Sequence, residues 1–318
     1  MIGLHVHKHT RKTLTKAIDK DSEKYELECV QIFTHNPRTG SAIKMNYEDV
    51  LKKCEELDLP LVVHSAYITT GVLKLENKEE LEQTKGKKKL NLLKRQLEAC
   101  VELEALGLVV HLPKAPLSTI VKAMTLIEPT RKKTGCKILL ENMWYKPDGK
   151  NTFQTPQRLS KLCEHLSKAK ISKDGWGICL DSAHMWAGMT FDNIKDSYDV
   201  RTFNGMKKWL KDFKYRKKID LIHFNGSYTP ITYHKDQHCI PMLYKEDLLW
   251  GIEKKPDYKK LGKKKLKSLL PYTEKMGLRY LIKFAKKYDI PMTLEVNRGT
   301  DEEIKWSIAL LKLIRDEI

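Results

Sequence analysis

No two of the seven cysteines stand closer than Cys163 and Cys179, which are 16 residues apart. An odd count with no Cys-x-x-Cys pair argues against a disulfide framework and against a cysteine-based zinc module. The thiols read instead as small buried hydrophobes in a reducing compartment. Long apolar runs are missing too. The mean hydropathy is −0.50, and no run approaches the roughly 18 residues that a membrane span needs. Met1-Ile2-Gly3-Leu4-His5 carries no charged-then-apolar signal segment. A soluble, intracellular monomer without a membrane partner is the expectation. Internal repeats, a low-complexity tail and a Pro/Gly/Ser linker are likewise lacking, so residues 1–318 are expected to form one domain. Acidic residues are in deficit, 41 Asp+Glu against 59 Lys+Arg, a net charge of +18. Such an excess favours polyanionic partners and says nothing about the fold.

What the chain does have is alternation. Short runs rich in Val, Ile and Leu recur at Ile2–Val6, Cys29–Phe33, Pro60–His64, Leu108–His111, Lys137–Glu141, Gly177–Asp181, Ile219–Asn225 and Pro291–Val296. They lack polar alternation, as expected of strands covered on both faces. Between them lie amphipathic stretches such as Tyr47–Leu57, Glu79–Leu106, Leu117–Lys132, Thr155–Leu166 and Glu302–Ile314. Thr155-Pro156 predicts an N-cap with a first-turn proline, and Gly107 predicts a helix C-cap. Eight strands interleaved with helices fit a closed barrel or a doubly wound sheet. No Gly-rich phosphate loop follows the first strand, which disfavours the second. The predicted fold is an α/β (β/α)8 TIM barrel with its active site at the C-terminal strand ends.

Those strand ends carry chemistry. Six runs finish on His64, His111, Glu141, Asp181, His223 and Glu295. In a β/α barrel such ends all open into one mouth. His184 follows Asp181 by three residues, and Asp236-x-His238 lies in the loop after the seventh strand. Five imidazoles and four carboxylates exceed what one tetrahedral zinc can use and suit a cluster of two or three ions. His5 reads as structural. His7 and His9 are left undecided as further mouth residues, and His35, His165 and His234 read as loop or surface residues.

In order and spacing, the segments Val63-His64-Ser65-Ala66-Tyr67, Val110-His111, Leu140-Glu141-Asn142, Cys179-Leu180-Asp181-Ser182-Ala183-His184, Ile222-His223-Phe224-Asn225, Asp236-Gln237-His238 and Leu294-Glu295 resemble the endonuclease IV family of apurinic/apyrimidinic endonucleases, cellular or viral. The resemblance implies three zinc ions. His64, His111 and Glu141 would hold the first, and Glu141 would bridge to a second shared with Asp181, His223 and Glu295. His184, Asp236 and His238 would hold the third. It also implies Glu141, Asp181 and Glu295 as catalytic carboxylates. The implied substrate is double-stranded DNA with an abasic site, cut on its 5′ side in base excision repair. The implied products are a 3′-hydroxyl and a 5′-deoxyribose phosphate, with removal of blocked 3′ ends as a second activity. Asn36, Arg38, Tyr67 and Ile68 match loop positions that press into the minor groove, where Arg, Tyr and an aliphatic wedge suit an extruded nucleotide.

The turn after Asp-x-His departs from the family pattern, reading Cys239-Ile240-Pro241-Met242, and the connection to Pro271 is longer. A lineage-specific basic insertion over about 239–270, with Trp250 and the Lys259–Lys267 cluster, is expected to contact DNA. Of the other basic runs, Lys85–Lys89 with Lys94-Arg95 flanks the mouth, and Lys214–Lys218 reads as a solvated face. Two other readings fit the same barrel: a metal-dependent sugar isomerase or epimerase, and a non-catalytic DNA-binding relative. The lysine-rich composition suits a large cytoplasmic DNA virus or an AT-rich microbe, so the expected compartment is the cytoplasm or nucleus, or the host cytoplasm or virion.

Overall fold

The computed structural model describes residues 1–7, 13–145, 151–195, 197–252, 257, 261–296 and 299–318. Eight parallel strands close into a barrel: β1 (Ile2–His5), β2 (Val30–Phe33), β3 (Leu61–His64), β4 (Leu108–His111), β5 (Ile138–Glu141), β6 (Trp176–Asp181), β7 (Ile219–His223) and β10 (Met292–Leu294). β10 pairs with both β7 and β1, so no barrel edge is left open. Between β7 and β10 a small antiparallel ribbon joins β8 (Gly226–Ser227) to β9 (His238–Cys239). Seven of the eight apolar runs read from the sequence contain a barrel strand, β6 beginning one residue before its run at Trp176, and the closed alternative is the one adopted. Among the described residues, no helix is long and apolar enough to cross a membrane.

Side-chain parity builds the interior. Successive strand residues point to opposite faces, so a residue two positions before a strand end shares its direction. Val62, Val109, Leu139, Cys179 and Leu221 form their own buried apolar cluster. Each stands two residues before His64, His111, Glu141, Asp181 or His223. The cluster is a packed floor inside the barrel, and the polar strand ends stand directly on it. Residues of the opposite parity, among them Val63, Val110, Leu140, Leu180 and Ile222, join the larger core beneath the helices.

Two helix boundaries differ from expectation. The stretch predicted as one helix over Glu79–Leu106 is two, Lys78–Glu82 and Thr84–Glu102, separated at the extended Gln83. Gly86 lets the second pack on the first, since a Cβ there would lie 1.9 Å from the Glu80 carbonyl oxygen. Gly107 is not the C-cap. Its carbonyl already accepts from Val63 N, which places it in the sheet, and the left-handed residue after the helix is Glu104 (φ 48°). Thr155 does cap as predicted, its side chain accepting from Arg158 N ahead of Pro156.

Candidate metal centre

Register brings the polar strand ends together in pairs. His111 is level with Glu141 on adjacent strands, and Asp181 with His223. Glu141, fully buried, lies at the centre of what results. Its Oε2 is 3.4 Å from His64 Nε2 and 3.2 Å from His111 Nε2. Its Oε1 is 3.2 Å from His223 Nδ1 and 3.1 Å from His184 Nδ1. His223 Nδ1 also faces Glu295 Oε2 at 3.1 Å and Asp181 Oδ2 at 3.8 Å. At the outer edge, Asp236 Oδ1 is 2.8 Å from His238 Nε2 and 3.4 Å from His184 Nε2.

Within this mouth, donor atoms of His64, His111 and Glu141 converge to within 4.8 Å of one another. So do those of Glu141, Asp181, His223 and Glu295, and those of Asp181, His184 and His238. All nine expected side chains are therefore in one place, with Asp236 joining through its contacts to the two outer histidines. Cys179 also approaches Glu141 and His223, but burial raises its thiol pKa and keeps it protonated.

The neighbours of the histidines settle their tautomers. His64 Nδ1 is 2.8 Å from the Ser65 carbonyl, an acceptor only, so Nδ1 carries the proton and Nε2 offers its lone pair to the cluster. Gln31 does the same for His223. Its Nε2 donates to Glu295 Oε1 at 2.6 Å, which fixes the amide orientation and turns Oε1 towards His223 Nε2 at 2.9 Å. His223 Nε2 is then the donor to Gln31, and Nδ1 faces Glu141 and Glu295. Asn225 Nδ2 donates to Asp181 Oδ2 at 2.6 Å, and its Oδ1 accepts from Glu295 N. Asn142 grips the Asp181 backbone at both N and O. Such supports orient metal-binding groups. Sequence reasoning missed Gln31. The signal was a lone amide inside the otherwise apolar Val-Gln-Ile-Phe strand.

For Glu141, His184, His223, Asp236, His238 and Glu295, burial opposes charge and mutual attraction overrides it. Burial alone would raise the pKa of Glu141, yet His223 and His111 hold it well below the usual carboxylate range. Glu295 is held down in the same way, chiefly by His223. Burial would lower the pKa of His184, but Asp181 and Asp236 pull it well up; His238 is drawn up to about 9. A field that attracts protons to these imidazoles attracts a divalent cation for the same reason. The donor set fits zinc in two ways. It is all imidazole nitrogen and carboxylate oxygen. Glu141 Oε2, moreover, is buried with no hydrogen-bond partner among the described residues while facing two imidazole nitrogens.

The remaining histidines divide. His5 is structural as expected, buried against Gln31 and 3.2 Å from Glu295, and burial lowers its pKa to about 4. His7 stacks on His5 with ring centroids 4.4 Å apart, at the rim of the site. His9 lies outside the described residues. His35 is not a surface residue: the loop after β2 folds back through a His35–Ala42 bridge and an Ile43 N to Thr34 O bond, and covers it. His165 and His234 are half-buried outside the cluster.

The loop residues expected at DNA gather beside the mouth. Asn36, Arg38 and Tyr67 line one pocket of about 460 Å³ with His7 and Phe33. Tyr67 stacks on His111 (5.3 Å, 24°) yet remains 46% exposed. Its backbone N–H donates to Pro37 O, which ties the two loops together. Asn36 Oδ1 accepts from both Arg38 N and Thr39 N, so this side chain builds the turn that presents Arg38. Ile68, 47% exposed, lines a neighbouring groove instead. In the expected insertion, Trp250 is buried, stacked on Phe224 and donating to Val200 O, so it serves the core and not a DNA surface. Lys264, Lys265 and Lys267 of the lysine cluster are exposed, while residues 253–256 and 258–260 lie outside the described residues.

A closed parallel barrel with clustered imidazoles and carboxylates at its mouth defines a class of metal-site barrels. The chain belongs to the xylose isomerase-like TIM barrel family, which it matches over residues 20–314. A relative named "Probable endonuclease 4" from Sulfurihydrogenibium sp. is 26% identical over 250 residues, covering 75% of this chain and 82% of its own length. This agrees with the endonuclease IV resemblance read from the motifs. The fold is shared with the solved structure of AsfvAP:AG (TM-score 0.73, 18% identity, 99% and 98% of the two chains). It is shared also with endonuclease IV from Thermus thermophilus (TM-score 0.65, 18% identity, 100% and 99%). A D-tagatose 3-epimerase-like protein has the same barrel (TM-score 0.60, 16% identity, 99% and 98%).

Proposed function

We propose that this protein is a zinc-dependent DNA-repair nuclease of the endonuclease IV type. In this reading it hydrolyses the phosphodiester bond 5′ to an abasic site in duplex DNA. The products are a 3′-hydroxyl and a 5′-deoxyribose phosphate, and clearing blocked 3′ ends is a second use of the same site. The observation that carries the reading is the nine-residue cluster organised around one shared carboxylate, Glu141. Relatives named as endonucleases and the +18 charge point the same way.

The residue roles follow the three convergent groups. His64, His111 and Glu141 would hold one zinc. Glu141, Asp181, His223 and Glu295 would hold a second, and His184, Asp236 and His238 a third. Bound zinc supplies Lewis acidity and lowers the pKa of water towards neutrality. The chain's own contribution is placement. Gln31 and Ser65 keep the lone pairs of His223 and His64 turned inward, and Asn225 and Asn142 hold Asp181. Asp236, with its side chain 38% exposed, marks the side from which a phosphodiester enters. Tyr67 and Arg38 stand at the rim to fill and brace the gap left by an extruded nucleotide. The exposed lysines of the 239–270 segment, a basic insertion in this reading, add phosphate contacts.

The shared fold with a sugar-epimerase-like protein supports a second reading, a metal-dependent isomerase. That chemistry needs about four ligands and one or two ions. Metal analysis combined with an abasic-duplex cleavage assay separates the two. About three zinc ions per chain and chelator-sensitive incision 5′ to the lesion are expected, with Glu141→Gln and His223→Ala folded, able to bind DNA and inactive. One ion or none, or wild-type cleavage by either variant, would sink the nuclease assignment.

A further inference from the structure

Beside the mouth runs a second groove, of about 580 Å³. One wall is the loop after β2, with Thr39 and Gly40. The other is the helix Thr84–Glu102, which presents Lys88, Asn91 and Arg95, and the exposed Ile68 closes the end. Positions 88, 91 and 95 recur at three and four residues, so they share one helix face. In a β/α barrel the helix after β3 must run back from the mouth to feed β4 from below, so its first half lies at the rim. The groove thus continues the side of the mouth where Arg38 stands.

Glu98 also lines the groove, so the groove's charge is compensated in part. Lys94 at the margin pairs with Glu98 at 3.5 Å. Among the described residues, no carboxylate lies within ion-pair distance of Lys88 or Arg95, although surface lysines elsewhere find partners, as Lys208 does in Asp212 and Lys168 in Glu164. Burial lowers the pKa of His35, and the positive charge of Arg95 lowers it further. Gly40 (φ +69°) makes the loop wall tight, for a Cβ there would lie 2.6 Å from Ile68 Cδ1.

We infer that this groove binds backbone phosphates of the duplex flanking the reaction site, with Lys88 and Arg95 as the cations and the Asn91 amide as a neutral donor. The inference rests on DNA being the substrate. Lys88 and Arg95 address phosphate charge, so the groove's contribution is sequence-independent and salt-dependent. Tyr67 lines the first compartment and its neighbour Ile68 the second. Tyr67 and Arg38 on one side address the lesion, and Lys88 and Arg95 on the other address the intact strand.

The test is a salt titration of affinity by fluorescence anisotropy, using the zinc-loaded protein with an abasic duplex and with an intact one. Replacing Lys88→Gln and Arg95→Gln together should reduce the slope of log affinity against log salt by about 0.9 for each lost phosphate contact. The reduction should be equal on both duplexes, leaving the preference between them unchanged. The charge-keeping pair Lys88→Arg with Arg95→Lys should restore the slope, and Lys217→Gln at the far end of the barrel should not alter it. An unchanged slope in the double variant, or an equal fall with Lys217→Gln, overturns the inference. Failure of the nuclease reading looks different: the wild type would show no preference for abasic duplex and no incision, whatever the slope.

Discussion

Glu141 uses its two oxygens on different neighbours, Oε2 towards His64 and His111 and Oε1 towards His184 and His223. Such a residue cannot be understood apart from those that aim its partners. Gln31 is the clearest of these, because it spans Glu295 and His223 and fixes both. Gln31→Ala should leave the fold intact and weaken zinc binding and cleavage by roughly 10–100-fold, the range for lost supporting hydrogen bonds. Competition with a chromogenic chelator measures the first, and a gel assay the second. Unchanged zinc affinity would remove Gln31 from this role. The strand-end histidines and carboxylates were legible in the sequence, because a charged or imidazole side chain closing run after run of apolar residues marks a shared polar mouth. Gln31 was not, since one amide in a strand has many partners to choose from until the strands are set side by side. His35 failed for the converse reason. Its burial depends on a loop folding back, which residue type alone does not encode.

At the level of elements, two loops and one hairpin position what the barrel cannot. The link from Tyr67 N to Pro37 O sets Tyr67 and Arg38 on one pocket wall. Arg38→Ala with Tyr67→Ala should cost about 1–3 kcal/mol of abasic-site binding, the scale of a lost aromatic stack, and less on intact duplex. Equal losses on both duplexes would contradict a lesion-reading role. The ribbon β8–β9, which carries His238, is secured by Asp247. That buried carboxylate accepts from the backbone N–H groups of Ser227, Met242, Leu249 and Trp250. Asp247→Ala orphans four buried donors, at about 1 kcal/mol or more each. Its melting temperature should fall by several degrees, measurable by calorimetry, and one zinc should be lost ahead of the others. Strand and helix order could be read from periodicity. The break at Gln83 could not, because the second helix is stopped and restarted by contact with the first at Gly86.

For the whole molecule, four carboxylates and five imidazoles gathered in one mouth favour shared cations, because the field that raises the pKa of His184, His223 and His238 also attracts a metal ion. Ions that bind the folded state alone stabilise it by mass action. Chelation should therefore lower the melting temperature of the entire barrel cooperatively, by several degrees for about 3 kcal/mol of linked binding, and Glu141→Gln should blunt that response. A melting temperature indifferent to chelator would deny the centre any stabilising role. The charge excess acts at the same scale, since a positive rim accelerates encounter with a polyanion and makes it salt-sensitive.

Closure of the barrel by β10 has a temporal consequence. Glu295 belongs to the last strand region, yet it contacts His5 on the first and His223 on the seventh. During synthesis the other eight members of the cluster leave the ribosome before it does. A nascent chain that has made only β1 to β7 has two open sheet edges and an incomplete set of carboxylates. The cluster is thus completed in one step, with the final strand.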